Sequence, residues 1–299
     1  MLGSSRIGIF DSKGSRRFPE EKTPRASGRD RAYWSRPVSG IDRVNRRTMS
    51  APGVVQGYST RDELSPAETA LLDRVREHAR GRPILDLGVG GGRTVGPLRE
   101  ISDDYVGIDY SPDMVAACRL RFPGVRIEHG DARDLSAHPS GRFSLVVFSC
   151  NGLGMVGHDD RLRVLGEVHR VLAPGGVFAF STHNRRCPDH DAGFRLPSLE
   201  LSRNPVRLGM RSLRFARSVV IRAKNRLRHR PLEHRGDDYS IINDVCHDYG
   251  TMLYYIDLGA QRRQLERAGF APGAEAFDLA GNRVEETRDS SIAFLARKE

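Results

Sequence analysis

From Leu64 onward, short apolar runs alternate with stretches whose apolar residues recur every three or four positions. Leu71, Leu72 and Val75 have helical spacing, with His78 on the same face, and Ser65-Pro66-Ala67-Glu68 precedes them. A serine cap, an early proline and a glutamate three positions on predict a helix start. Runs ending at Asp86, Asp109 and Asp131, together with a fourth that ends at Cys150 and with Val177–Ser181, are read as strands. Between the last two lies a helical pattern over Arg161–Leu172, and Ala173-Pro-Gly-Gly176 turns the chain. A further helix is expected over Gln261–Ala268, closed by Gly269, with strands near Ala274–Leu279 and Ile292–Ala296. Strands alternating with helices predict an α/β fold, a doubly wound and mostly parallel sheet covered on both faces. No internal repeat is evident.

Ligands bind such sheets at the carboxyl edge, and three strand ends there carry chemistry. In ILDLGVGGGRT (84–94), glycines follow Asp86 at 88, 90 and 92. The absence of Cβ atoms lets backbone approach a ligand, and the N–H groups of a following helix would face it. The spacing is not the dinucleotide G-x-G-x-x-G. An acid two positions before the first glycine suits a ligand with a cationic amino-acid end. Tyr105-Val-Gly-Ile-Asp109 places a carboxylate 17 positions after Gly92, near where βαβ nucleotide sites hold ribose hydroxyls. A third run ends in Gly130-Asp131-Ala132, where Asp131 suits an adenine amino group.

These stretches, with YVGIDYSPDM, IEHGDARDL, FSLVVFSCNGLGMV and DDRLRVLGEVHRVLAPGGVFAFSTHN, resemble the class I S-adenosylmethionine-dependent methyltransferases, which have a Rossmann-like core. The resemblance covers about Ile84 to Asn184, with tail elements from about Gly259 to Arg297. It implies a seven-stranded sheet whose last strand is antiparallel, and S-adenosyl-L-methionine as cofactor. By position, the methionine end falls to Asp86, Gly88, Gly90 and Gly92, ribose to Asp109, and adenine to Asp131 with Ala132. Met114 would pack on the adenine, and Tyr110, Ser149 and Asn151 are assigned to the cofactor as well.

Charge and composition add two segments. Residues 1–50 hold twelve Lys or Arg and five Asp or Glu, are rich in Ser, Gly and Pro, and lack periodicity. Residues 1–57 are therefore read as a basic, disordered leader and 58–299 as the methyltransferase domain. An alternative is that Met49 is the natural start. Residues 183–258 are too long for a plain connection and are read as an inserted substrate-side cap. Within them, 203–235 carry eleven Lys or Arg against Glu233 alone, interleaved with Leu208, Phe215, Val219, Ile221 and Leu227. Part of this is expected to be an amphipathic helix.

A general base helps when the methyl acceptor is a hydroxyl or ammonium. His183, just past the fifth strand, is the candidate, against a histidine that only satisfies loop backbone. Asn184 and one of Tyr254 and Tyr255, which alternation sends to opposite faces, are candidate pocket residues. Cys150 is read as a small residue in a turn beside the cofactor rather than as a nucleophile. His183, Cys187, His190 and Asp191 match no common zinc spacing, so no metal is expected. Cysteines 118, 150, 187 and 246 show no paired spacing, and neither a secretory signal nor a membrane-spanning apolar run is seen. A cytoplasmic protein is expected.

The leading reading is methyl transfer to oxygen or nitrogen of a small or medium-sized acceptor, with the basic insertion favouring an anionic one. Two alternatives stand beside it: an RNA methyltransferase using the arginines of 203–235, and a membrane-surface or scaffolding module with a vestigial cofactor fold. The acceptor's identity and the oligomeric state are not in the sequence.

Overall fold

The computed structural model describes residues 39–190, 193–198 and 201–299. Two short helices, α1 (Gly40–Met49) and α2 (Pro52–Ser59), precede α3 (Pro66–Ala79). The core then runs β1 (Ile84–Leu87), α4 (Val95–Arg99), β2 (Tyr105–Asp109), α5 (Pro112–Arg121), β3 (Ile127–His129) and β4 (Phe143–Phe148). A 3-10 turn at Gly152–Met155 leads to α6 (His158–Val171) and the long β5 (Leu172–Asn184). Next come α7 (Pro205–His229), β6 (His234–Arg235), β7 (Tyr239–Asp244), β8 (Thr251–Ile256) and α8 (Leu258–Arg267), and last β9 (Glu275–Phe277) and β10 (Ser291–Arg297).

The start of α3 is the predicted capping box: Ser65 Oγ accepts from the Glu68 N–H at 3.3 Å, and Glu68 Oε2 accepts from the Ser65 N–H at 2.8 Å. Each device satisfies a backbone donor that the helix cannot. Side chains alternate across the central strands. Val146, Phe148, Phe178, Phe180 and Phe294 face α6 and α8, through Val164, Leu165, Val168 and Leu265. Leu145, Val147, Val177, Ala179, Ala293 and Leu295 face α3, α4 and α5, through Leu71, Leu72, Val75, Leu98 and Val115. Two cores, one on each face, follow from that period of two.

Strands β3-β2-β1-β4-β5 lie side by side and parallel. β10 pairs antiparallel with β5 from Val177 to His183, and β9 antiparallel with β10. These seven are the strands read from the sequence. The sheet has ten, because residues 234–256 add an antiparallel meander, β6-β7-β8. It joins β5 only at its carboxyl end, where His183 and Asn184 pair with Tyr255 and Ile256. The meander thus grows from the sheet edge at which a Rossmann-like fold holds its ligand.

Within residues 40–57, assigned to a disordered leader, the chain instead forms α1 and most of α2. Ser39 Oγ caps α1 by accepting from the Asp42 N–H at 3.1 Å, and Ile41 and Val44 pack against the core of β7 and β8. Basic composition concealed this helix, whose apolar residues are few. Residues 1–38 of that leader, and Asp191 of the weighed zinc set, lie outside the described residues.

Candidate functional site

The carboxyl ends of β1, β2 and β4 open into a cleft lined by Gly88, Gly90, Asp109, Tyr110, Met114, Asp131, Ala132, Phe148 and Ser149. Its empty volume is about 980 Å³, in the upper range for small-molecule sites. It lies where strand order reverses between β1 and β4.

The three glycines do different work. Gly90 has φ +53°, and a Cβ built there would meet only the Gly88 carbonyl, at 3.8 Å. Its space therefore belongs to the cleft. Gly88 (φ +64°) lies against Phe148, whose ring a Cβ would touch at 2.7 Å. Gly92 (φ +90°) is absent from the cleft; a Cβ there would strike Phe122 and Cys118 of the α5 region, so its role is packing.

Asp86 also departs from its expected place. It is buried behind the loop and does not line the cleft. Its Oδ2 accepts from Thr94 Oγ1 at 2.5 Å and Tyr105 OH at 2.8 Å, which ties the glycine turn to the next helix and strand. Oδ1 is buried with no partner, and burial pushes the carboxyl pKa up to about 6. Asp86 shapes the loop from behind.

Asp109 stands in the cleft as read. Its Oδ2 accepts from the Gly90 N–H at 2.9 Å and its Oδ1 from the Ser111 N–H at 2.8 Å. Each oxygen keeps a second lone pair, so a diol can still donate to it. Burial raises its pKa, opposed by those two N–H groups. Asp131 differs: Arg133 donates through Nε and Nη2, Arg46 donates through Nη2 at 2.8 Å, and the Arg133 N–H adds a fourth bond. Four bonds occupy about all its acceptor positions. An adenine amino group would have to take the place of Arg46, whose guanidinium also lies 5.2 Å from the Tyr110 ring centre.

Arg46 belongs to α1, which the sequence reading missed as part of the site. Asp42, Asn45 and Met49 of α1 and Tyr58 of α2 line the cleft. Asn45 is buried, donating to the carbonyls of Met155 (2.6 Å) and Met252 (2.8 Å) and accepting from the Met252 N–H (2.8 Å). One side chain thus joins α1, the turn after β4, and β8. The available signal was Ser39 three positions before an acid, with Ile41 and Val44 at helical spacing.

Beside this cleft lies a second cavity, lined by Asn151, His183, Asp244, Tyr255 and the arginines 195, 226 and 235, among others. Cys150 lines the first cavity and Asn151 the second, so the two share this wall. Both residues hold positive φ, 51° and 57°, an uncommon conformation for side-chain-bearing residues. Asn151, assigned to the cofactor from sequence, instead faces the second cavity; its N–H donates to Ser181 Oγ at 2.8 Å and its Oδ1 accepts from Ser291 Oγ at 2.7 Å. Burial raises the Cys150 pKa, so the group stays a thiol at neutral pH.

His183 packs on the Tyr255 ring at 5.0 Å between centres and lies next to Gly154. Burial pushes its pKa down to about 4, with Asp244 opposing and Arg161 adding to the shift. Its imidazole is neutral at neutral pH, the form that accepts a proton. Tyr255 donates to Asp244 Oδ2 at 2.7 Å. Tyr254 lies on the opposite face, bonded through its OH to His158 and Gln264 and lining a separate hollow there. Asn184 is fully buried and lines neither cavity: it donates to the Thr287 carbonyl and accepts from the Arg186 N–H, both at 2.9 Å. Among the described residues, no group of three His, Cys, Asp or Glu is placed to hold a metal, and no helix is long and apolar enough to cross a membrane.

The chemistry of the first cleft fits S-adenosylmethionine. An open glycine position, a carboxylate with spare lone pairs for a diol, and apolar walls at Met114 and Phe148 suit an adenosine with a methionine arm. Residues 84–176 match the family model of a methyltransferase domain. Over 116 residues the chain is 34% identical to a probable S-adenosylmethionine-dependent methyltransferase of Mycolicibacterium smegmatis, covering 38% of this chain and 43% of that one. Over 139 residues it is 30% identical to a ubiquinone biosynthesis O-methyltransferase of Psychrobacter cryohalolentis, covering 44% and 49%. The matches span about half the length of these relatives. The fold resembles that of an S-adenosylmethionine-dependent methyltransferase of Clostridium acetobutylicum, with a TM-score of 0.55, 14% identity, and coverage of 78% of this chain and 91% of the other. Motif order, sheet topology and these likenesses agree: residues 84–176 match a methyltransferase domain, and the chain is similar to the class I S-adenosylmethionine-dependent methyltransferases.

Proposed function

We propose that the protein transfers a methyl group from S-adenosylmethionine to oxygen or nitrogen of a small or medium-sized acceptor held in the second cavity. The observation that carries this reading is the shared wall: Cys150 lines the cleft and Asn151 the cavity beside it. In this reading Gly88 and Gly90 receive the methionine arm, Asp109 the ribose, and Tyr110, Met114 and Ala132 the adenine, with Ser149 near the methionine end. The cofactor supplies an electrophilic methyl group; the chain's own residues orient the acceptor and take its proton. Proximity can provide much of the acceleration. His183, a neutral imidazole on the cavity wall, is the base, and Tyr255, held by Asp244, packs beside it.

Arg195, Arg226 and Arg235 at the cavity wall favour an anionic acceptor. Their charge is partly met by Asp189 and Glu233, which leaves a modest rather than a strong field. Residues 183–258 act as the substrate-side cap, and the reading places the protein in the cytoplasm. The test is transfer of label from S-adenosylmethionine to a panel of carboxylated, phosphorylated and neutral hydroxyl or amine acceptors. Label should move to at least one anionic acceptor, and His183→Ala should slow this while sparing S-adenosylhomocysteine binding. Full turnover by that variant would remove His183 as the base; absence of cofactor binding by the folded protein would remove the whole reading.

A further inference from the structure

The helix α7 has two faces that do opposite things. Its inner face is fixed to a left-handed turn: His247, Asp248 and Tyr249 hold φ of 51°, 56° and 58° in succession. Ser218 Oγ and Arg222 Nε donate to Asp248 Oδ1 at 2.8 and 2.7 Å, and Asn225 Nδ2 donates to the Asp248 carbonyl at 2.9 Å. Tyr249 lines the second cavity, so the helix braces that wall.

The outer face is unlike an ordinary solvated helix surface. Val206, Met210, Leu213, Val220 and Leu227 follow intervals of four, three, seven and seven, which places them on one stripe. They are between 54 and 73% exposed. Among them and beside them stand Arg214, Arg217, Lys224 and Arg228, which make no side-chain hydrogen bond or ion pair among the described residues. The 25 residues of α7 include no acid, and at about 1.5 Å per residue the helix extends about 37 Å. Leu196 and Leu201, in the approach to the helix, are exposed as well.

We propose that this outer face docks on the surface of a bilayer containing anionic phospholipid, with the aliphatic stripe at the level of the acyl boundary and the cations at the phosphates. Charge complementarity decides the class of occupant. A second copy would set like-charged helices together. Single-stranded RNA meets the charge but leaves the aliphatic stripe in water, and the stripe offers no aromatic ring on which a base can stack. An anionic lipid surface satisfies both the stripe and the cations. The helix lies flat, because its inner face stays engaged with Asp248 and Tyr249. This inference is independent of methyl transfer.

The experiment is vesicle co-sedimentation of the full chain. The vesicles are phosphatidylcholine alone or with about 30% phosphatidylglycerol, at low and high salt. The expected result is at least about tenfold stronger partitioning onto the anionic vesicles, weakened by salt. Leu213→Glu with Val220→Glu should cut that partitioning by about tenfold or more, with circular dichroism and S-adenosylhomocysteine affinity unchanged. A charge-matched control, Arg214→Lys with Arg217→Lys, should keep it. No partitioning onto anionic vesicles would overturn the proposal. So would full partitioning by the double Glu variant, which would move the lipid contact to another basic segment. Salt-dependent binding of a single-stranded RNA that the Glu variant retains, without vesicle binding, would assign the face to nucleic acid instead.

Discussion

Two titratable side chains carry the sharpest consequences at the scale of the residue. Asp109 holds the glycine turn and the start of α5 through two N–H bonds while keeping acceptor capacity for the cleft. Asp109→Ala is expected to weaken S-adenosylhomocysteine binding by about 1–3 kcal/mol, a charged hydrogen bond's worth, as read by titration calorimetry. Asp109→Asn, which keeps one acceptor oxygen, should lose less. Equal affinity in all three proteins would separate Asp109 from the cofactor. His183 sets a pH expectation. Its pKa in the fold, about 4, lies below the ordinary 6.5, so the fold favours the neutral form. That contribution to stability is complete above 6.5 and is lost as the pH falls toward and through 4. As the base, His183 should give kcat/KM an acid limb near 4 rather than near 6.5. A limb at 6.5 that disappears in His183→Ala would mean an imidazole more open to water than the one seen here.

For the elements, α1 is the test. Asn45 satisfies three backbone groups from two distant segments, so Asn45→Ala leaves buried donors and acceptors without partners. Urea unfolding should show a loss of about 2–4 kcal/mol, and no loss would mean that α1 adds nothing to the cleft wall. A chain started at Met49 lacks Asp42, Asn45 and Arg46 altogether and should show the same loss or more. Its Asp131 would also be freed of one arginine. The comparison of these two variants separates anchoring of the wall from competition at Asp131. The capping box of α3 was fully legible because its donors and acceptors lie within four residues. The cap of α1 was equally local, but a basic surrounding sequence with few apolar residues outweighed it.

For the whole molecule, cofactor binding and folding are linked. The cleft draws on α1, α2 and the ends of β1, β2 and β4, so a ligand that fills it binds the native state alone. S-adenosylhomocysteine at about 100 times its Kd should stabilise the protein by about 2.7 kcal/mol, seen as a rise in Tm. His183→Ala should retain this rise and Asp109→Ala should reduce it at equal ligand concentration. A Tm that ligand leaves unchanged would contradict the assignment of the cleft.

The sequence by itself determined the strand–helix alternation, the order of the carboxyl-edge motifs and the position of Asp109, because each rests on local periodicity or on a turn that short-range sterics dictate; the antiparallel direction of the last strands came from the family resemblance. Tertiary structure decided what depends on residues far apart in the chain. Packing against Phe122 and Cys118 made Gly92 a structural glycine. Bonds from Thr94 and Tyr105 drew Asp86 behind the loop, and arginines 85 positions upstream and two downstream filled Asp131. The same holds for Asn184 and Tyr254, which the pairing of β5 and β8 turned away from the cavity that Tyr255 lines. A carboxylate's type is written in the sequence; which of its lone pairs remain free is settled only when the chain has folded around it.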